Sequence, residues 1–123
     1  MILVDTSVWI DHLRSGSPLL AELLEQNRVV MHPMVLGELA CGSLKNRQQL
    51  LQLWQSQDSL QAVSHDEALY FIEQHGLMGK SVGYIDVHLL ASVALANGVK
   101  LWTQDKRLAH VAIEMRYAWE VNI

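Results

Sequence analysis

A single cysteine, Cys41, stands in the 123 residues, which excludes an internal disulfide and suits a reducing compartment such as the cytoplasm. Long apolar runs are missing too. Uninterrupted stretches reach only a few residues, as in Met1–Val4 and Val29–Met31, against the ~20 a membrane helix needs. No basic segment leads into an apolar run at the N-terminus, so no secretory signal is expected. There is no surplus of positive charge: 9 Lys and Arg face 13 Asp and Glu, for a net −4. Taken alone, that balance argues against a nucleic-acid binder. No two of the 6 histidines lie three or four positions apart, so no helical pair of zinc ligands is present. Repeats, low-complexity tracts and linkers are also absent. What remains is a chain 50% apolar and 18% charged, the balance of a folded globular protein. Its length fits one domain spanning residues 1–123 and is too short for two.

Short apolar segments alternate with helical patterns. Met1–Val4 reads as a buried strand ending at Asp5, and Thr6 or Ser7 could cap the short helix that follows. Ser17-Pro18 opens a second helix, serine as cap and proline first, with Leu20, Leu23 and Leu24 as its apolar stripe. Val29–Met31 reads as a strand broken by Pro33. Helices are then expected over Met34–Cys41 and over Asn46–Gln55, the latter with Leu50, Leu53 and Trp54 on one side. Ser64 and Glu67 form a capping box for a helix bearing Ala68, Phe71, Ile72 and His75, which Gly76 ends. After the glycine-rich loop Gly79–Gly83 a helix starts near Asp86, burying Leu89, Leu90, Val93 and Ala94. Leu101-Trp102, Lys106–Ile113 and Tyr117–Val121 give strand, helix and a last strand. The alternation predicts an α/β fold with a mainly parallel sheet, whose ligands would sit beyond the carboxyl ends of the strands.

Four acids fall at telling places. Asp5 follows the first strand directly, and Asp105 follows Leu101-Trp102 closely. Asp86 opens a helix beside the glycine-rich loop, and Glu38 interrupts an otherwise apolar helix. Three of them have a structural reading of their own: a cap for Asp86, a turn for Asp105, a polar helix edge for Glu38. All four at once are harder to dismiss. Two carboxylates ~4 Å apart repel by about 4 kcal/mol at an effective dielectric near 20, so four converging acids need a cation or must protonate. Hard oxygen ligands without thiolate or imidazole favour magnesium or manganese, and such a cage suits phosphodiester hydrolysis by metal-activated water. Setting these acids aside would also leave bases and remaining acids in balance.

The runs Leu3-Val4-Asp5-Thr6-Ser7-Val8-Trp9-Ile10, His32-Pro33-Met34-Val35-Leu36-Gly37-Glu38-Leu39, Gly83-Tyr84-Ile85-Asp86-Val87-His88-Leu89-Leu90-Ala91-Ser92 and Leu101-Trp102-Thr103-Gln104-Asp105-Lys106 resemble the PIN-domain ribonucleases, and in detail the VapC toxins of VapBC toxin–antitoxin pairs. The resemblance covers nearly the whole chain. It implies a PIN-like parallel sheet flanked by helices, usually assembled as a homodimer. It implies that Asp5, Glu38, Asp86 and Asp105 bind Mg2+ (with Mn2+ as a substitute) and activate water, while Ser7 and Thr103 support the site. RNA would be cut endonucleolytically to a 3′-hydroxyl and a 5′-phosphate. A cognate VapB-type antitoxin would occlude the site and carry the pair to operator DNA.

Other motifs fall short. Gly79-Lys80-Ser81 resembles the end of a P-loop, but Gln74 stands where its first glycine belongs. Asp5-Thr6-Ser7 lacks the second acid of an aspartyl-nucleophile phosphatase. His32 and His88 read as structural, Cys41 as a packed inert thiol, and Trp9, Trp54, Trp102 and Trp119 as core or interface residues. Two competing functions stay open: a non-catalytic PIN-fold module binding RNA or protein, and a small-molecule phosphohydrolase.

Overall fold

A computed structural model describes residues 1–120. Three short parallel strands form its centre in the order β2-β1-β3: β1 Ile2–Val4, β2 Val29–Val30 and β3 Lys100–Trp102. Every residue of β1 and β2 is buried, as expected of parallel strands covered on both faces. Leu3 sits between Val30 and Leu101 in register, so the central strand contacts only apolar neighbours at that level. Single parallel bridges, Met31 to Ser59 and Leu101 to Ala118, widen the sheet at both edges. The second of these lies where the last strand was expected at Tyr117–Val121; Val121 itself lies outside the described residues.

Helices α1 Thr6–Ser15, α2 Pro18–Glu25, α3 Pro33–Ala40, α4 Arg47–Ser56, α5 His65–His75, α6 Tyr84–Leu95 and α7 Lys106–Glu114 make up the rest. The punctuation predicted from sequence is present. The Ser17 hydroxyl accepts from Leu20 N with Pro18 first in α2, Ser64 and Glu67 close a capping box, and Gly76 ends α5 at φ +61°. The α/β class expected from sequence is the class observed. Helix α6 is buried from Val87 through Val93 and packs against α5, α3 and β3. Its middle, Val87–Val93, is covered on every side because it runs through the interior.

Several local expectations need correction. The α1 cap is Asp5, not Thr6 or Ser7, and its side chain makes no capping bond. α6 begins two residues ahead of Asp86. Cys41 is exposed, not packed, because it caps the end of α3 where the chain turns outward. Leu53 is 52% exposed: Trp54 takes the inward direction on α4, and Leu53 faces a surface cleft. Of the α5 stripe, Ala68 and Phe71 are buried while His75 is exposed. Among the described residues no helix is long and apolar enough to cross a membrane.

Candidate active site

Parallel strands of an α/β fold deliver their carboxyl ends to one edge, and two of the acids arrive there. The backbone of Asp5 extends the β1–β3 ladder by donating to Trp102 O at 2.9 Å. Its side chain is 6% exposed. Oδ2 accepts from Ser7 Oγ at 2.9 Å and from Thr103 Oγ1 at 2.7 Å. An acid at a helix N-cap normally accepts from the first-turn amides; here two hydroxyls hold the carboxylate instead. The hydroxyls are themselves fixed by backbone: Ser7 Oγ accepts from Gln104 N at 3.0 Å, and Thr103 Oγ1 from Asp105 N at 3.0 Å. The β1–α1 and β3–α7 turns are thereby laced together around Asp5.

Asp105 caps α7, its Oδ1 accepting from Arg107 N at 2.9 Å and Leu108 N at 3.2 Å. Asp86, half-buried at the third position of α6, accepts from Gly83 N at 3.1 Å through Oδ2. Glu38 is exposed on the outer turn of α3, and its Oε1 accepts from Thr6 Oγ1 at 2.7 Å. Asp86 does act in a capping box as its structural reading had it, and Asp105, read as a turn former, is in fact the cap of α7; both roles use half of each group. In all four carboxylates one oxygen takes every hydrogen bond recorded among the described residues. Asp5 Oδ1, Glu38 Oε2, Asp86 Oδ1 and Asp105 Oδ2 make none.

Electrostatics link the four. The Asp86 carboxyl is held above the usual carboxylate range, chiefly by burial. The Gly83 N–H opposes that shift, and the charges of Asp5, Asp105 and Glu38 reinforce it. Among the described residues the only ion pairs join Glu114 to Lys80 and His110, so no lysine or arginine neutralises the cluster. Nor, among the described residues, do any three His, Cys, Asp or Glu side chains close around a single point where an ion would sit. The donor set nonetheless fits a hard divalent cation: oxygen atoms only, each carboxylate anchored by one oxygen and free at the other. Magnesium keeps several of its waters, so it needs only part of its shell from protein.

Behind the acids a buried chain fixes α3 against α6. His32 caps α3 and is 0% exposed; its Nδ1 accepts from Met34 N at 3.0 Å. The ring proton therefore sits on Nε2, which donates to Ser92 Oγ at 2.9 Å, and Ser92 donates onward to Gln61 O at 2.9 Å. This joins the helix carrying Glu38 to the helix carrying Asp86. Burial, with a smaller contribution from His88, lowers the His32 pKa to about 4. His88 stacks edge-on against Tyr84 at 4.6 Å, and its two ring nitrogens have no hydrogen-bond partner among the described residues. The bonds of His32 are those of a structural residue linking two helices. Of the tryptophans, Trp9 and Trp54 form a buried edge-on pair at 5.8 Å, and Trp102 packs on Trp119 at 5.0 Å. Sequence reasoning missed Thr6, whose place directly after Asp5 suggested a cap.

The PIN domain family profile matches residues 2–114. Two curated relatives, both named ribonuclease VapC32, come from Mycobacterium tuberculosis strains CDC 1551 and H37Rv. Each is 46% identical over 114 residues, covering 93% of this chain and 92% of the relative. The fold and the full-length match agree: this chain belongs to the PIN domain family and, within it, resembles the VapC ribonucleases.

Proposed function

We propose that the protein is an endoribonuclease that hydrolyses RNA phosphodiester bonds with Mg2+, and that it is the toxin of a VapBC-type pair. The observation carrying this reading is the shared pattern of the four acids, each anchored at one oxygen and free at the other. Asp5, Glu38, Asp86 and Asp105 would hold the ion, with Mn2+ as a substitute. When bound, a divalent ion lowers the pKa of a water and neutralises charge on the phosphate.

The chain's own residues do the positioning. Ser7 and Thr103 hold Asp5 against rotation, Thr6 holds Glu38, and Gly83 N holds Asp86. The water oxygen attacks phosphorus, the bond from phosphorus to the 3′ oxygen breaks, and that oxygen takes up a proton. The products are a 3′-hydroxyl and a 5′-phosphate. The free oxygens of the acids are the chain's acceptors for the proton the water loses. A cognate VapB-type antitoxin would cover the site and link the pair to operator DNA. The toxin itself would work in the cytoplasm as a homodimer.

The test is cleavage of a structured RNA by the purified protein, with Mg2+ or EDTA, beside Asp5→Asn. Cleavage confined to wild type with Mg2+ is expected. Equal cleavage in EDTA or by Asp5→Asn would remove the metal-site reading, and tight RNA binding with no product would favour a binding module.

A further inference from the structure

Glu38 also lines a surface cleft of about 870 Å³ that runs between α1 and α4, floored by the loop joining α3 to α4. Its walls carry Ile10, Leu13 and Leu53, which are 43%, 39% and 52% exposed. Glu38 is the one acid in the lining, whereas Arg14 and Lys45 are both cationic. Neither makes a hydrogen bond or ion pair among the described residues. Lys80 pairs with Glu114 and Lys100 donates to Arg116 O; the side chains of Lys106, Arg107 and Arg116 likewise make no bond among the described residues, but none of them lines this cleft. Arg47 staples the loop from behind, donating to Ala40 O at 2.6 Å and to Gly42 O at 3.1 Å. That staple fixes the segment carrying Lys45, so less freedom is lost when the lysine engages a ligand.

In a chain of net charge −4, two uncommitted cations facing one cleft that ends at a candidate metal-binding acid call for a polyanion. We infer that this cleft is the track for the RNA strand flanking the scissile phosphate, with Arg14 and Lys45 each taking one backbone phosphate. Ile10, Leu13 and Leu53 would pack against the faces of unstacked bases or riboses. The inference rests on the ribonuclease reading above and adds the residues that bind the substrate away from the cut.

Counterion release supplies the test. Each phosphate contact on a single strand contributes roughly 0.7 to the slope of log affinity against log salt. A fluorescein-labelled, unstructured oligoribonucleotide is titrated with full-length protein in EDTA across a salt series. Arg14→Gln with Lys45→Gln is expected to flatten the slope by about 1.4 and weaken binding on the order of tenfold at 0.1 M salt. Arg14→Lys with Lys45→Arg keeps the charge and should keep the wild-type slope, with thermal midpoints of all variants confirming folding. Lys80→Gln removes a charge elsewhere and should leave the slope alone.

An unchanged slope in the double glutamine variant, or equal flattening by Lys80→Gln, overturns the track. If wild type still cleaves RNA, that failure is confined to the cleft, which would then suit an apolar protein segment. The reverse result, binding that depends on Arg14 and Lys45 with no Mg2+-dependent product, would sink the catalytic reading and leave the track standing.

Discussion

Acid should unfasten α3 from α6, and the size of the effect follows from one side chain. His32 Nδ1 accepts from Met34 N, and Nε2 donates to Ser92. A second proton would have to go on Nδ1, where it would meet an N–H already pointing at it. The histidine pKa falls from 6.5 to about 4 in the folded chain, so the folded state binds fewer protons than the unfolded state between those values. Stability from this group is therefore complete above pH 6.5 and is lost as pH falls toward 4. The difference amounts to about 3 kcal/mol, a large part of the roughly 5–15 kcal/mol that holds a domain together.

The assay is urea unfolding at a series of pH values, read by the fluorescence of Trp9 and Trp54, which are 2% and 1% exposed. With an m-value of about 1–3 kcal/mol/M, the wild-type midpoint should fall by roughly 2 M between pH 7 and pH 4. His32→Asn keeps a side chain able to cap α3 but loses the link to Ser92, costing about 1–3 kcal/mol at neutral pH. Its stability should then depend less on acid than wild type does. His88, whose pKa burial also lowers, acts in both proteins and drops out of the comparison. Parallel curves for wild type and His32→Asn would refute the reasoning, because the titrating group would lie elsewhere.

Two further outcomes concern the acids. Thr103→Val removes the 2.7 Å hydrogen bond that orients Asp5 and the acceptor for Asp105 N. Lost outer contacts of this kind weaken metal affinity or activity about 10–100-fold, so Mg2+-titrated cleavage should shift with little change in the unfolding midpoint; unchanged Mg2+ dependence would count against Thr103 as a support. Asp86→Asn abolishes the charge that burial and three neighbouring acids disfavour. With a raised folded pKa, Asp86 binds its proton more readily folded than unfolded, so its contribution fades as pH rises through that window. In EDTA near neutral pH the variant should unfold later than wild type while losing cleavage and stabilisation by Mg2+. A less stable variant in EDTA would contradict the assigned repulsion.

Why the acids could be read and their fastenings could not is a matter of range. Asp5 and Asp105 were legible because strand ends converge in a parallel sheet, a rule that needs only the order of elements. Asp86 was legible from the loop before it. Glu38 stood out as a charge in an apolar run; it is exposed, and its carboxylate is held by Thr6, thirty-two positions away in the chain. No periodicity carries that contact. The same holds for His32, Ser92 and Gln61, whose chain of bonds spans α3, α6 and the segment before α5. Nor could pattern alone decide which apolar side chains would be covered. Leu53 and Trp54 are neighbours on α4 with opposite fates: Trp54 packs on Trp9, and Leu53 lines the cleft. Helical spacing defines faces, but only tertiary packing chooses which face meets water. The exposed Ile10, Leu13 and Leu53 show this most plainly: their types suit a core, and only the packing of the helices around them leaves them lining a cleft.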